Sequence, residues 1–263
     1  MKHSLLLLPL LLPFLLTAKE APPPPVSPEL VKKLEENFKA NIEHHDRLIK
    51  KYPDNVRLHS RRGDNHLFAG NFKEAVADYE KMIQLDPSQD APHWRLGIAY
   101  YYINDFEKGM KQFAKYHAYD AVDRENGVWK FFCQANFHNV DKAKKEMLPY
   151  TRFDRHPFPA VYDLLAGKEG TTPESILKAA DESKESPAYK TRRYFFAHFY
   201  IGMWYEIQGN KEKALQHLYK AAANEFGQES GTYMWQVARI HYNQLEKGNF
   251  RIPGENRKTK ESK

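Results

Sequence analysis

The sequence predicts an all-α solenoid of stacked helix pairs, and three observations lead there. The first is a repeat: Phe38, Phe72 and Phe106 are separated by steps of 34 residues, and Pro53 and Pro87, Gly63 and Gly97, Tyr79 and Phe113, and Asp86 and Asp120 keep the same step. A fixed period of this length marks an architecture in which each unit is one supersecondary motif stacked on the next. The second is apolar spacing: Leu30, Leu34, Phe38, Ile42, Leu48 and Ile49 form a helical stripe, not an alternating strand. The third is composition, since 13 glycines in 263 residues and a mean hydropathy of −0.75 argue against a β-rich or membrane-embedded chain.

Taken in order, residues 1–18 read as an export signal. Lys2 and His3 precede an apolar run at 5–16, broken by Pro9 and Pro13 and followed by the small pair Thr17-Ala18. That run is shorter than the roughly 20 residues needed to span a bilayer, although retention as an interfacial anchor is an alternative. Residues 19–27 form a proline-rich linker, with Pro22 to Pro25 as a stiff polyproline spacer. A helical segment at 28–55 leads into a repeat array at 56–157, phased as 56–89, 90–123 and a degenerate 124–157 with a weak second helix. A degenerate helix pair at 158–194 follows, built from 158–166 and 173–182. Residues 195–247 hold a last repeat and a capping helix at 232–245, and 248–263 is a basic tail expected to be disordered.

The pattern within each unit is that of the tetratricopeptide repeat (TPR), whose helix pairs wind into a right-handed superhelix. Each recurrent residue has a packing task. Gly63, Gly97 and Gly202 let the first helix approach the second, and Ala75, Ala143 and Ala214 do the same from the second helix. Tyr79, Phe113, Met147 and Leu218 are the large residues expected to fill the space towards the next repeat. Asp86-Pro87 ends a helix, because proline disfavours helical geometry in the residue before it. Gly70-Asn71, Asn104-Asp105 and Gly209-Asn210 supply the turns between paired helices.

Several classes of chemistry find no support. The formal charge of +6 is modest, and five basic against two acidic residues crowd into the last thirteen, which disfavours a nucleic-acid binder. The 12 histidines include no H-E-x-x-H and no pair at i, i+4, so no metal site is expected. His59, His93 and His198 recur at one repeat position, where packing is the expected role. No G-x-S-x-G or glycine-rich phosphate loop occurs, and Cys133 sits in an apolar helical run that suits a buried thiol. No catalytic residue and no cofactor are expected, and the chain reads as non-enzymatic.

The concave face is the expected binding site. Arg57, Ser60 and Phe68 from the first repeat, Trp94, Ile98, Tyr101 and Tyr102 from the second, and Phe132 from the third would line a groove for a protein or peptide partner. Exposed aromatics with polar handles are enriched at binding hot spots. The alternative for each aromatic is packing between neighbouring helices. Asp64 and Ile98 stand where the carboxylate clamp of chaperone-binding TPRs wants asparagine, so that comparison fails.

Two good repeats are followed by R-E-N-G-V-W-K-F-F, then F-P-A-V-Y-D-L-L-A-G-K, P-E-S-I-L and F-A-H-F-Y-I-G-M-W-Y-E-I-Q-G-N-K-E-K-A-L-Q-H-L. Over about residues 28–245 this order resembles the NlpI-type periplasmic TPR adaptor lipoproteins. The resemblance implies a homodimeric scaffold of the bacterial cell envelope that brings a processing protease and peptidoglycan hydrolases together. The chain departs from that family in having no lipobox cysteine after the apolar run, so it is expected in soluble, exported form, periplasmic or secreted, with no integral membrane segment once the signal is cleaved. A homo-oligomeric structural module and a peptidoglycan or glycan binder are the alternatives.

Overall fold

The computed structural model describes residues 23–249 and residue 253, and among them it contains thirteen α-helices, a 3₁₀ turn at Pro87–Gln89 and no strand. The helices are α1 (Pro28–Lys51), α2 (Val56–Phe68), α3 (Phe72–Leu85), α4 (Trp94–Tyr102), α5 (Phe106–Tyr119), α6 (Arg124–Phe137) and α7 (Val140–Lys145). They continue with α8 (Phe158–Ala166), α9 (Pro173–Asp181), α10 (Pro187–Ile207), α11 (Lys211–Ala222), α12 (Glu225–Ser230) and α13 (Tyr233–Glu246). The fold is an all-α, TPR-type helical solenoid. The expected signal, the first part of the linker and the tail from 250 onward lie outside the described residues, residue 253 excepted.

Local sequence explains where the helices start and stop. Asn55, Asp105, Asp123, Asn139 and Asn210 each accept a backbone N–H from the first turn of the helix that follows, satisfying an otherwise orphaned donor. Thr172 and Ser175 form a reciprocal capping box at the start of α9. Gly70, Asn104 and Gly209 fall at equivalent turns between paired helices and carry φ of 84°, 61° and 76°. Glycine, and less readily asparagine, tolerates that left-handed geometry, so the turn chemistry matches the sequence pattern.

The glycine–large residue pairing recurs three times with the same geometry. A Cβ placed on Gly63, Gly97 or Gly202 would lie 2.7 Å from Tyr79, 2.6 Å from Phe113 or 2.7 Å from Leu218, respectively. Each large residue therefore packs on the glycine of its own repeat. Tyr79 and Phe113 also reach the next one, against His93 at 4.7 Å and Trp129 at 6.3 Å between ring centres. Phe113 is fully buried, and its ring already presses on Gly97. Gly97→Val is therefore expected to destabilise the protein by about 1–3 kcal/mol through overpacking, read from the urea midpoint with an unchanged slope.

Three features differ from the sequence expectation. The boundary at 194/195 falls inside α10, which begins at Pro187 and docks its first turns on α9: Arg193 donates to the Ala179 carbonyl at 3.3 Å, and Tyr194 to Asp181. The end of the proline-rich linker is no free spacer, since Val26 is buried and the Pro25 carbonyl accepts from Gln228 at 3.3 Å. The first described residues thus meet α12, a helix the sequence pattern did not indicate. Phe195, Phe196, Phe199 and Tyr200 are all interior, because α10 packs against α6, α8, α9, α11 and α12.

The third difference decides where a partner can bind. Helix α13 does not simply cap the stack; it turns back onto the concave side of the first two repeats. Tyr233 packs against Phe68 at 4.9 Å and Trp94 at 4.8 Å. One turn on, the Tyr102 hydroxyl donates to the Val237 carbonyl at 3.4 Å and meets His241 Nδ1 at 3.1 Å. Arg239 donates to the Phe68 carbonyl at 2.9 Å. At the far end His241 Nε2 lies 2.6 Å from Glu206 of α10, both groups essentially without solvent contact.

Candidate functional site

The eight expected groove residues divide into two groups. Ile98, Tyr101, Tyr102 and Phe132 are buried. They do not line an open groove: Tyr101 and Tyr102 pack against His241 of α13, and no partner can reach a surface that the chain itself covers. Phe68 is half-buried between Phe38 and Tyr233. Arg57 is exposed, and Ser60 and Trp94 are half-buried, so these three remain near a surface. Arg57 and Ser60 lie in the first turns of α2, and Trp94 begins α4, where Tyr233 of α13 packs against it. The open part of the concave face is this mouth.

Two polar networks flank the mouth. In the first, Arg95 Nη1 donates to both oxygens of Asp64 at 2.8 and 2.6 Å, and Nη2 donates to Ser60 Oγ at 2.9 Å. The Tyr79 hydroxyl donates to Asp64 at 2.6 Å and lies 3.2 Å from the hydroxyl of Tyr233, tying α13 to α2 and α3. Burial raises the Asp64 pKa, and the Arg95 charge opposes that rise.

The second network centres on Arg155, from the loop between α7 and α8. Its guanidinium donates to Glu125 Oε2 at 2.6 Å, to Asp154 Oδ1 at 3.1 Å and to Asp123 Oδ1 at 3.2 Å, and sits 4.3 Å from the Phe158 ring centre. Glu125 Oε1 accepts from the Tyr200 hydroxyl, which in turn accepts from Trp129 Nε1 at 3.1 Å. Burial pushes the Glu125 carboxyl up to about 7; Arg155 works against the shift, while Asp123 adds to it. Asp123 is raised as well, again chiefly by burial. Beside the second network lies a cavity of about 160 Å³, walled by Trp94, Phe113, Trp129 and Met234 and by the polar groups of Asp123, Glu125, Asn126 and Arg155.

Sequence reasoning missed Asp154 and Arg155, since a loop between degenerate repeats carries no periodic signal. It also missed the role of α13. In the structure Met234, Trp235, Val237, Ala238, Ile240, His241, Tyr242 and Leu245 of this helix are all buried.

The recurrent histidines hold packing positions. His59 Nε2 lies 2.8 Å from the Pro53 carbonyl, His93 Nδ1 accepts from Leu96 N–H at 3.3 Å, and His198 and His217 meet Nδ1 to Nδ1 at 3.0 Å. Cys133 is buried against Gly109, where an added Cβ would lie 2.8 Å from its sulfur. Among the described residues no group of three or more His, Cys, Asp or Glu is placed to hold a metal ion, and no helix is long and apolar enough to cross a membrane.

A TPR repeat family model matches residues 69–102, one period running from the end of α2 through α3 to the end of α4. Comparison with curated proteins finds no significant match. Fold and repeat together define the class: a TPR-type solenoid, a fold suited to scaffolding protein–protein interactions.

Proposed function

We propose that this chain is a non-enzymatic scaffold that holds partner proteins in the bacterial cell envelope and recruits a protease or a peptidoglycan hydrolase. The observation that carries the binding part is the mouth of the concave face. There Trp94 walls a cavity with aromatic sides and polar handles, the composition of a binding hot spot, while the exposed Arg57 and half-buried Ser60 stand on the first turns of α2. The envelope part rests on the signal-like residues 1–18 and on the resemblance to periplasmic adaptors.

The test is crosslinking and affinity capture of the mature chain from its own envelope fraction, read by mass spectrometry. Recovery of a protease or wall hydrolase, lost on Arg57→Glu or Trp94→Ala with helicity intact, is the expected result. Loss of capture on Tyr101→Ala would not locate the site, because Tyr101 is 1% exposed and its truncation tests packing. Recovery of the chain alone would replace the adaptor reading with self-assembly. Attention would then move to the cavity of about 540 Å³ lined by Leu215 and Tyr219 of α11 and Tyr242 of α13.

A further inference from the structure

We infer that the cavity at the groove mouth receives the cationic side chain of a lysine or arginine carried by a partner polypeptide. This deepens the scaffold reading and rests on it. Size comes first: about 160 Å³ is well below the 300–1,000 Å³ typical of small-molecule pockets, so the space suits one side chain and not a cofactor.

Charge selects the kind of side chain. Asp123, Glu125 and Asp154 surround a single guanidinium, that of Arg155, so negative charge is in excess whenever the carboxylates are ionised. Arg155 does not turn the site into an anion receptor. Its Nη1 and Nη2 are already directed at those carboxylates, and an incoming anion would meet three like charges. Asp123 Oδ1 accepts from Arg155 and from the Glu125 N–H, while no described donor reaches Oδ2. Asp123 lines the cavity with its side chain 23% exposed, so its second oxygen is free to take a donor from an incoming group.

The apolar walls agree with this choice. Trp94 and Trp129 present aromatic rings, which attract a cation through their quadrupoles, and Phe113 and Met234 suit the methylene stem of a long basic side chain. The Trp129–Tyr200–Glu125 chain of hydrogen bonds holds the carboxylate in place before any ligand arrives. A neutral apolar side chain would fill the walls but leave the Asp123 oxygen without a donor.

Binding also couples to protons. Glu125 is surrounded by Arg155 and Asp154 from the α7–α8 loop, Asp123 before α6 and Tyr200 from α10, and it titrates at about 7. A cation in the cavity favours the ionised carboxylate and displaces its proton. Affinity should therefore rise about ten-fold from pH 6 to pH 8, the change expected when one group of this pKa must ionise.

The experiment titrates the full chain with Nα-acetyl-lysine amide, Nα-acetyl-arginine amide and the neutral Nα-acetyl-norleucine amide, following the indole N–H signals of the four tryptophans by NMR. The basic probes should shift Trp94 and Trp129 saturably, leave Trp204 and Trp235 in place, and bind at least ten-fold tighter than norleucine amide. Asp123→Asn should weaken binding at least ten-fold, and Glu125→Gln, close in shape and folded by circular dichroism, should remove the pH dependence. Equal binding of the norleucine probe, no saturable shift at Trp94 and Trp129, or unchanged affinity in Asp123→Asn would overturn the inference. The two readings fail separately: partner capture that survives in Asp123→Asn and Glu125→Gln removes the basic-residue inference and leaves the scaffold. Lysine binding without any captured partner does the reverse.

Discussion

Deletion of residues 232–249 should abolish cooperative folding, not open a peptide groove. Helix α13 buries Met234, Trp235, Val237, Ile240, Tyr242 and Leu245, all at 9% exposure or less. At about 1.5–3 kcal/mol per large apolar side chain, their burial is worth on the order of 10 kcal/mol. That is comparable to the whole stability of a typical domain, about 5–15 kcal/mol. Removing the helix would also take away the His241 ring whose Nε2 meets Glu206 of α10 at 2.6 Å. The truncated chain should lack a cooperative thermal transition and bind a hydrophobic dye. A truncation that melts cooperatively near the parent temperature would mean that α13 is a detachable plug.

Mild acid should destabilise the protein through histidines, before most of its carboxylates protonate. Burial lowers the pKa of His93 and His198 to about 3 and that of His217 to about 4, against about 6.5 in the unfolded chain. For His198 the neighbouring His217 ring and Lys220 add to the effect of burial; for His217 Lys220 and Lys213 add to it and Glu174 opposes it. As pH falls below 6.5 the unfolded state takes up protons that the folded state refuses. His93 and His198 then each cost up to about 1.4 kcal/mol of stability per pH unit until the folded pKa is reached, and the half-buried His217 costs less because solvent screens its charge. Glu125 runs the other way: its folded pKa of about 7 lies above the unfolded value, so its contribution improves as pH falls from 7 to about 4.5 and offsets one of the three histidines.

Urea unfolding at pH 7, 6 and 5 should therefore show a steady loss. The double variant His198→Phe/His217→Leu should recover about 2–3 kcal/mol of the difference between pH 7 and pH 5. A pH profile identical to that of the parent would show that these two rings are not held neutral by burial.

Much of the fold was legible because it is written in short-range chemistry. Gly63, Gly97 and Gly202 with their partners sixteen residues on, the turn residues Gly70, Asn104 and Gly209, and the helix boundary at Asp86-Pro87 are local rules that repeat. The degenerate pair α8–α9 was placed to within a residue by counting periods. What could not be read locally was the return of α13 onto α2 and α4. That contact joins Tyr233 to Phe68, Tyr79 and Trp94 across more than a hundred residues, and no periodicity encodes which face of the array a terminal helix will seek. The same limit explains the candidate site. Helix phase assigned Ser60 and Trp94 to the concave side, whereas Arg155 comes from a non-repetitive loop and Tyr101 was assigned to a surface that α13 covers.

Native-state hydrogen exchange along α13 tests the central claim most directly. If the helix is a permanent part of the core, its amides from Val237 to Leu245 should exchange as slowly as those of α6 and α10, through global unfolding and with the same denaturant dependence. Exchange of α13 at markedly lower free energy, while α6 and α10 stay protected, would show that the helix leaves on its own and that the groove beneath it opens for a partner.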